Sequence, residues 1–200
     1  EVKDMLLYYG LEGKIETIKR WYDGYLFGNT EIYNPWSIMN YVEDLNIDPN
    51  DVPKANWINT SSNSIIRSLI ERSDDETKAI IEKLMHGGSI KTYVKETITY
   101  GDLEVSNDNI WSFLLFTGYL KVKSFEFIGN KYMYELVIPN TEIHCCYTDI
   151  IMEYFDQYKK AINKDDLYKA LLSGDAAGFA EPITKLLTAS ISFYDGNESF

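Results

Sequence analysis

Apolar positions set the first expectations. Between Glu1 and about Gly28, Leu7, Leu11, Ile15, Ile18, Trp21, Tyr22 and Tyr25 recur three or four residues apart, the spacing of one buried helical face. One or two helices are predicted there, closed at Gly24, which tolerates positive φ. A turn at Gly28-Asn29-Thr30 and a short extended piece at Glu31–Tyr33 follow. Asn34-Pro35 restarts the helical pattern, because Asn accepts from free first-turn amides and proline suits the first helical position. Trp36, Ile38, Met39, Tyr41, Val42 and Leu45 then form a mostly apolar helix. Ile47–Ala55, with two prolines and no periodicity, reads as a surface loop. Ser61, Ser62 and Asn63 offer caps for a helix through Arg72, and Ser73 with Glu76 has the form of a capping box for another through His86.

After Gly87-Gly88 the period shortens, and Ile90, Thr92, Tyr93 and Val94 with Thr97–Tyr100 suggest extended chain. Asn107 or Asp108 can cap a helix through Phe116, ended by Gly118. Tyr119–Ile128 and Lys131–Ile138 then make a hairpin around Gly129-Asn130. A helix followed by a two-stranded wing is the outline of a winged-helix-like unit. Three more helices are expected at about Thr141–Lys160, Asp165–Ser173 and Ala176–Ala189, broken near Gly174. The predicted class is therefore α+β and mainly helical: a helical bundle, a winged-helix-like unit with a small β-hairpin, and C-terminal helices.

Composition narrows the function classes. With 45% apolar and 14% aromatic residues in 200, the chain has material for one sizeable core or two small ones. Its longest apolar stretch, Ile110–Leu120, falls well short of the roughly 20 residues that cross a bilayer, so no membrane partner is expected. The formal net charge of −12 repels nucleic acid, whose binding rests on Lys and Arg neutralising phosphates. Cys145 and Cys146 are adjacent, which rules out the spaced pairs that grip zinc, and a reducing cytoplasm is the simple expectation. The first residue is Glu1 and the last segment stops in mid-pattern, so both ends are expected to be cut from something longer.

Five stretches carry a resemblance. Trp21-Tyr22-Asp23-Gly24-Tyr25, Phe27-Gly28 and Tyr33-Asn34-Pro35-Trp36-Ser37, with Trp57–Asn63 and Leu114–Leu120, resemble the signature of a bacterial family of AAA-ATPase-like proteins. The family combines an N-terminal P-loop ATPase, a helical and winged-helix extension, and a C-terminal nuclease-like domain of the PD-(D/E)XK superfamily. The resemblance implies that this chain is the middle portion: residues 1–86 the helical lid, 87–160 the winged-helix-like unit, and 161–200 a helical linker into the nuclease-like domain. ATP and magnesium would belong to the parent, whose partners for this segment are its own ATPase and nuclease-like domains. The chain contains no Gly-x-x-x-x-Gly-Lys-Ser/Thr loop, so no catalytic residue and no cofactor of its own is expected.

By the same resemblance Pro35 would lie against an adenine base, with Asn34 or Ser37 adding a polar contact; simple helix initiation explains the same residues. Trp57–Asn63 offers donors for an anion, although capping accounts for them as well. Asp23 beside Gly24 fits a turn better than a catalytic carboxylate, and His86 and His144 lack further metal ligands in the pattern. Lys121, Lys123 and Lys131 make the hairpin the only basic surface on which nucleic acid could be held, opposed by Glu126, Glu135 and by the apolar character of the 107–119 helix. The expected function is a non-catalytic regulatory connector, with a nucleic-acid-binding adaptor or a protein–protein scaffold as alternatives.

Overall fold

A computed structural model of the chain describes residues 1–28, 30–59, 63–98, 108–161 and 164–184. It is mainly helical α+β, with eight α-helices, a further helical stretch at 176–184 and two small antiparallel sheets among those residues.

The first unit packs α1 (Val2–Tyr8), α2 (Ile15–Tyr22) and α3 (Pro35–Ile47) around Leu6, Ile18, Tyr22, Ile38, Tyr41, Val42 and Leu45. The expected face slips by one residue at its start: Leu6 is 1% exposed and Leu7 65%. The cause is the turn at Gly10 (φ +68) and the 3-10 turn at Glu12–Lys14, which reset the helical phase between α1 and α2. Tyr25, expected on the same helical face, instead opens a two-stranded ribbon of β1 (Tyr25–Phe27) and β2 (Thr30–Ile32). The loop after α3 is strapped down by tyrosines. Tyr22 Oη donates to the Lys54 carbonyl at 3.0 Å, and Lys54 Nζ lies 3.0 Å from Asp44 and 2.9 Å from Asp51.

The second unit is larger. α4 (Asn63–Arg72), α5 (Asp75–Met85), α6 (Asp108–Phe116) and α7 (Thr141–Ala161) surround a three-stranded sheet ordered β3 (Ile90–Tyr93), β5 (Lys131–Val137), β4 (Lys121–Ile128). Ile66, Ile81, Leu84, Trp111, Leu114, Tyr119, Leu136, Ile143, Tyr147 and Ile150 lie at its core. The hairpin turns where expected, with Gly129 at φ +64. The extended chain after Gly88 pairs with β5 rather than running free. The cap of α5 moves one residue from the capping box: Asp74 accepts from the Thr77 amide at 2.8 Å, while Ser73 Oγ turns back to the Leu69 carbonyl at 2.6 Å. An Asp carboxylate at the N-terminus also gains from the helix dipole, which a serine hydroxyl does not. α8 (Lys164–Ser173) and a helical stretch at 176–184 complete the described chain, with Gly174 between them; the Ser61 and Ser62 caps, Asn107 and residues beyond 184 lie outside it.

Candidate functional site

The functional question centres on where the two cores meet. Asn34 caps α3 as expected, with proline next and the Ser37 amide 3.5 Å from Asn34 Oδ1. Both side chains then point away from solvent to one carboxylate on the second unit, Glu142 in the first turn of α7, which has no exposed surface. Ser37 Oγ donates to Glu142 Oε1 at 2.7 Å, the Trp57 amide donates to the same oxygen at 2.9 Å, and Asn34 Nδ2 reaches Oε2 at 3.4 Å. The Asn56 amide adds a fourth donor. Burial holds the Glu142 carboxyl above its ordinary range against the opposing pull of these donors. None of the four donors carries a charge, so the site is a neutral cradle around a buried acid.

A second contact flanks it. Asn140 caps α7 by accepting from the Ile143 amide at 3.0 Å, and its Nδ2 donates to the Asp23 carbonyl at 2.8 Å. Asp23 Oδ1 accepts from the Gly24 amide at 2.7 Å, which makes its role the turn expected of it. Gly24 is required here twice over: its φ is +109, and a Cβ would sit 2.6 Å from the Pro139 carbonyl oxygen. Tyr25 stacks on Trp57 with ring centroids 6.4 Å apart, closing the apolar side of the seam.

The three residues expected to meet a nucleotide therefore separate. Asn34 and Ser37 have their polar atoms engaged by Glu142, whereas Pro35 is exposed and lines a cleft of about 800 Å³ with Val2, Met5, Ile32, Tyr33 and Met39. Its lining also carries Glu1, Asp4 and Glu31 against the single cationic side chain of Lys3.

On the sheet, Lys123 pairs with Glu135 at 2.8 Å, Lys131 stands 5.9 Å over the Tyr93 ring, and Lys121 is half-buried near Gly24. Lys123 and Ser124 hold the Glu135 carboxyl down at about 2. In α6, Ile110, Trp111, Phe113 and Leu114 are buried, and Asn109 and Ser112 accept from Lys95, while Phe116 at its end is exposed. His86 and His144 bond to the carbonyls of Glu82 and Met85, and the described residues contain no group of three metal-ligating side chains. Cys146 is buried, with its thiol pushed up to about 12, and behaves as a small apolar side chain beside the half-buried Cys145. Trp57 lies in the seam; Thr60–Ser62 of the same stretch lie outside the described residues.

Glu142 is the residue that sequence reasoning missed. An acid in a first helical turn is ordinary, and the only local sign of its burial is its place between Asn140 and the apolar Ile143 in a segment otherwise poor in charge. No family model, curated protein or solved structure matches this chain. No described helix is long and apolar enough to cross a membrane.

Proposed function

We propose that the chain is a non-catalytic connector: a helical lid whose state is passed through the Glu142 cradle to the sheet-bearing unit, within an ATP-responsive parent of the AAA-like kind that its motifs resemble. One observation carries this reading. Asn34 and Ser37, one residue before and two residues after Pro35, are bonded directly to the first turn of α7, so a shift of α3 must either move α7 or break a buried hydrogen-bonded carboxylate. In this reading Pro35 and the apolar cleft take the base of a nucleotide, while Asn34 and Ser37 act on Glu142 and not on the ligand. ATP with magnesium, held by a P-loop elsewhere in the parent, supplies the energy difference between lid states.

Three measurements test it. The purified chain alone should neither hydrolyse ATP nor cut DNA with magnesium present, and metal-dependent cleavage by this chain would overturn the reading. In the full-length protein, ATP with magnesium should slow amide exchange in α3 and in the first turn of α7 together, and Pro35→Ala should weaken ATP binding about five-fold, roughly 1 kcal/mol. Protection of α3 without α7 refutes the coupling; unchanged affinity in Pro35→Ala refutes the lid contact.

A further inference from the structure

The acids of this chain that are held in place mostly share a cation. Asp44 and Asp51 meet the Lys54 ammonium at 3.0 and 2.9 Å, and Glu135 lies 2.8 Å from Lys123. Glu142 differs. It has no exposed surface, it lies between the two cores, and its oxygens take the Ser37 hydroxyl at 2.7 Å, the Trp57 amide at 2.9 Å and the Asn34 side-chain amide at 3.4 Å. Among the described residues no cation bonds to it. Arg20 at the end of α2 lines a separate cleft with Thr141 and His144, the His144 ring is bonded to the Met85 carbonyl, and the Lys121 ammonium lies against Gly24. Asp23, in the turn between α2 and β1, has its own carboxylate on the Gly24 amide.

The other titratable groups that face Glu142 are Tyr22 from α2, Tyr25 from β1, and Cys145 and Cys146 from its own helix. Burial pushes the ionisation of all four up, that of Cys146 to about 12, so they stay neutral while the carboxyl changes charge. An ionised Glu142 is therefore one negative charge in a seam without water, answered by dipoles alone. The protonated form is neutral, and it has a bond to make: the Ser37 hydroxyl that donates to a carboxylate can rotate to accept from a carboxyl.

From this geometry we propose that the seam is a proton-operated latch: Glu142 holds a proton while the two units are closed on each other and releases it when they part. The proposal rests on the connector reading, to which it adds a regulator. On opening, the carboxyl O–H bond breaks, the proton passes to water entering the seam, and hydration replaces the bonds to Ser37, Trp57 and Asn34. Closing reverses each step. The direction of the linkage follows from burial, which outweighs the neutral donors and holds the closed-state carboxyl above its ordinary 4.5. The closed seam thus binds more proton than the open one; closure is at full strength below 4.5 and weakens as pH rises through the closed-state value.

Amide exchange of the whole chain, corrected at each pH for the intrinsic rate, gives the constant for the opening that α3 shares with the first turn of α7. Above 4.5 that constant should rise with pH, by at most about ten-fold per unit for one proton released, and then level off. Glu142→Gln keeps an acceptor and cannot ionise, so its profile should be flat. Carbon-13 carboxyl shifts give a site-specific readout. The resonance missing from Glu142→Gln should titrate above 4.5, and Ser37→Ala should move it higher still, because the lost hydroxyl favours the charged form. The latch is overturned by a slope that survives Glu142→Gln, by a carboxyl that titrates at or below 4.5, or by one that Ser37→Ala leaves in place. A shared opening of α3 and α7 at the same cost at every pH overturns the latch and leaves the connector reading standing, whereas unrelated openings at every pH overturn both.

Discussion

The seam and the sheet each hold a glutamate among hydrogen-bond donors, and the two respond to their surroundings in opposite directions. At the seam, Glu142 is buried and meets only neutral donors; loss of water dominates and its carboxyl titrates above the ordinary value of 4.5. On the sheet, Glu135 meets the Lys123 ammonium and the Ser124 hydroxyl, and it is held down at about 2. The difference is one of task. A charge pair on an exposed strand contributes little to stability but keeps the face soluble, whereas a desolvated acid bonded by several separate segments makes their positions interdependent.

Breaking the seam should have the largest effect. Glu142→Ala leaves Ser37 Oγ, Asn34 Nδ2 and two backbone amides without their acceptor, and should cost about 3 kcal/mol or more in urea unfolding. Gly24→Ala comes next, at about 2 kcal/mol, from its φ of +109 and the 2.6 Å approach to Pro139. A milder change sharpens the comparison. Glu142→Gln keeps an acceptor and removes the buried charge, so its stability at pH 7 should lie within about 1 kcal/mol of the native chain.

The pH dependence follows from the signs. Because the folded-state value of Glu142 is raised, its stabilising contribution is complete below the unfolded value near 4.5 and declines as pH rises through the folded value. Glu142→Gln should lack that decline, and a Gln variant with the same fall in stability from pH 4.5 to 7 would show that another group is responsible. Glu135 works in reverse: its contribution is present above the unfolded value and is lost as pH falls from about 4.5 toward 2. Lys123→Met should have the smallest effect of the set, visible only as a weakening of that acid limb, and a large loss of stability at neutral pH would contradict the exposed-pair reading.

Much of the fold was legible because it is written locally. Asn34-Pro35 announces the start of α3, and Gly129-Asn130 between alternating residues announces the hairpin, since both depend on backbone preferences of a few neighbours. The phase of α1, the β1–β2 ribbon and the cap of α5 were set by competition between adjacent signals of similar strength. The seam was not legible for a different reason. Asn34 and Glu142 are more than a hundred positions apart, and no local pattern tells a cap that its side chain will be shared with a distant carboxylate. The motifs singled out in sequence nonetheless converge there: Asp23-Gly24, Asn34, Ser37 and Trp57 all meet the N-terminus of α7, which gives these residues a reason to occur together that requires no ligand.

The most direct test of the central claim is native-state hydrogen exchange on the chain and on Glu142→Ala, comparing α2 and α3 with α6 and α7. If the cradle couples the two cores, the unaltered chain exchanges both through one shared opening, and the substitution lets α2 and α3 open at lower cost while α6 and α7 keep their protection. If both cores weaken equally, or if neither changes, Glu142 is not what joins them and the connector reading fails.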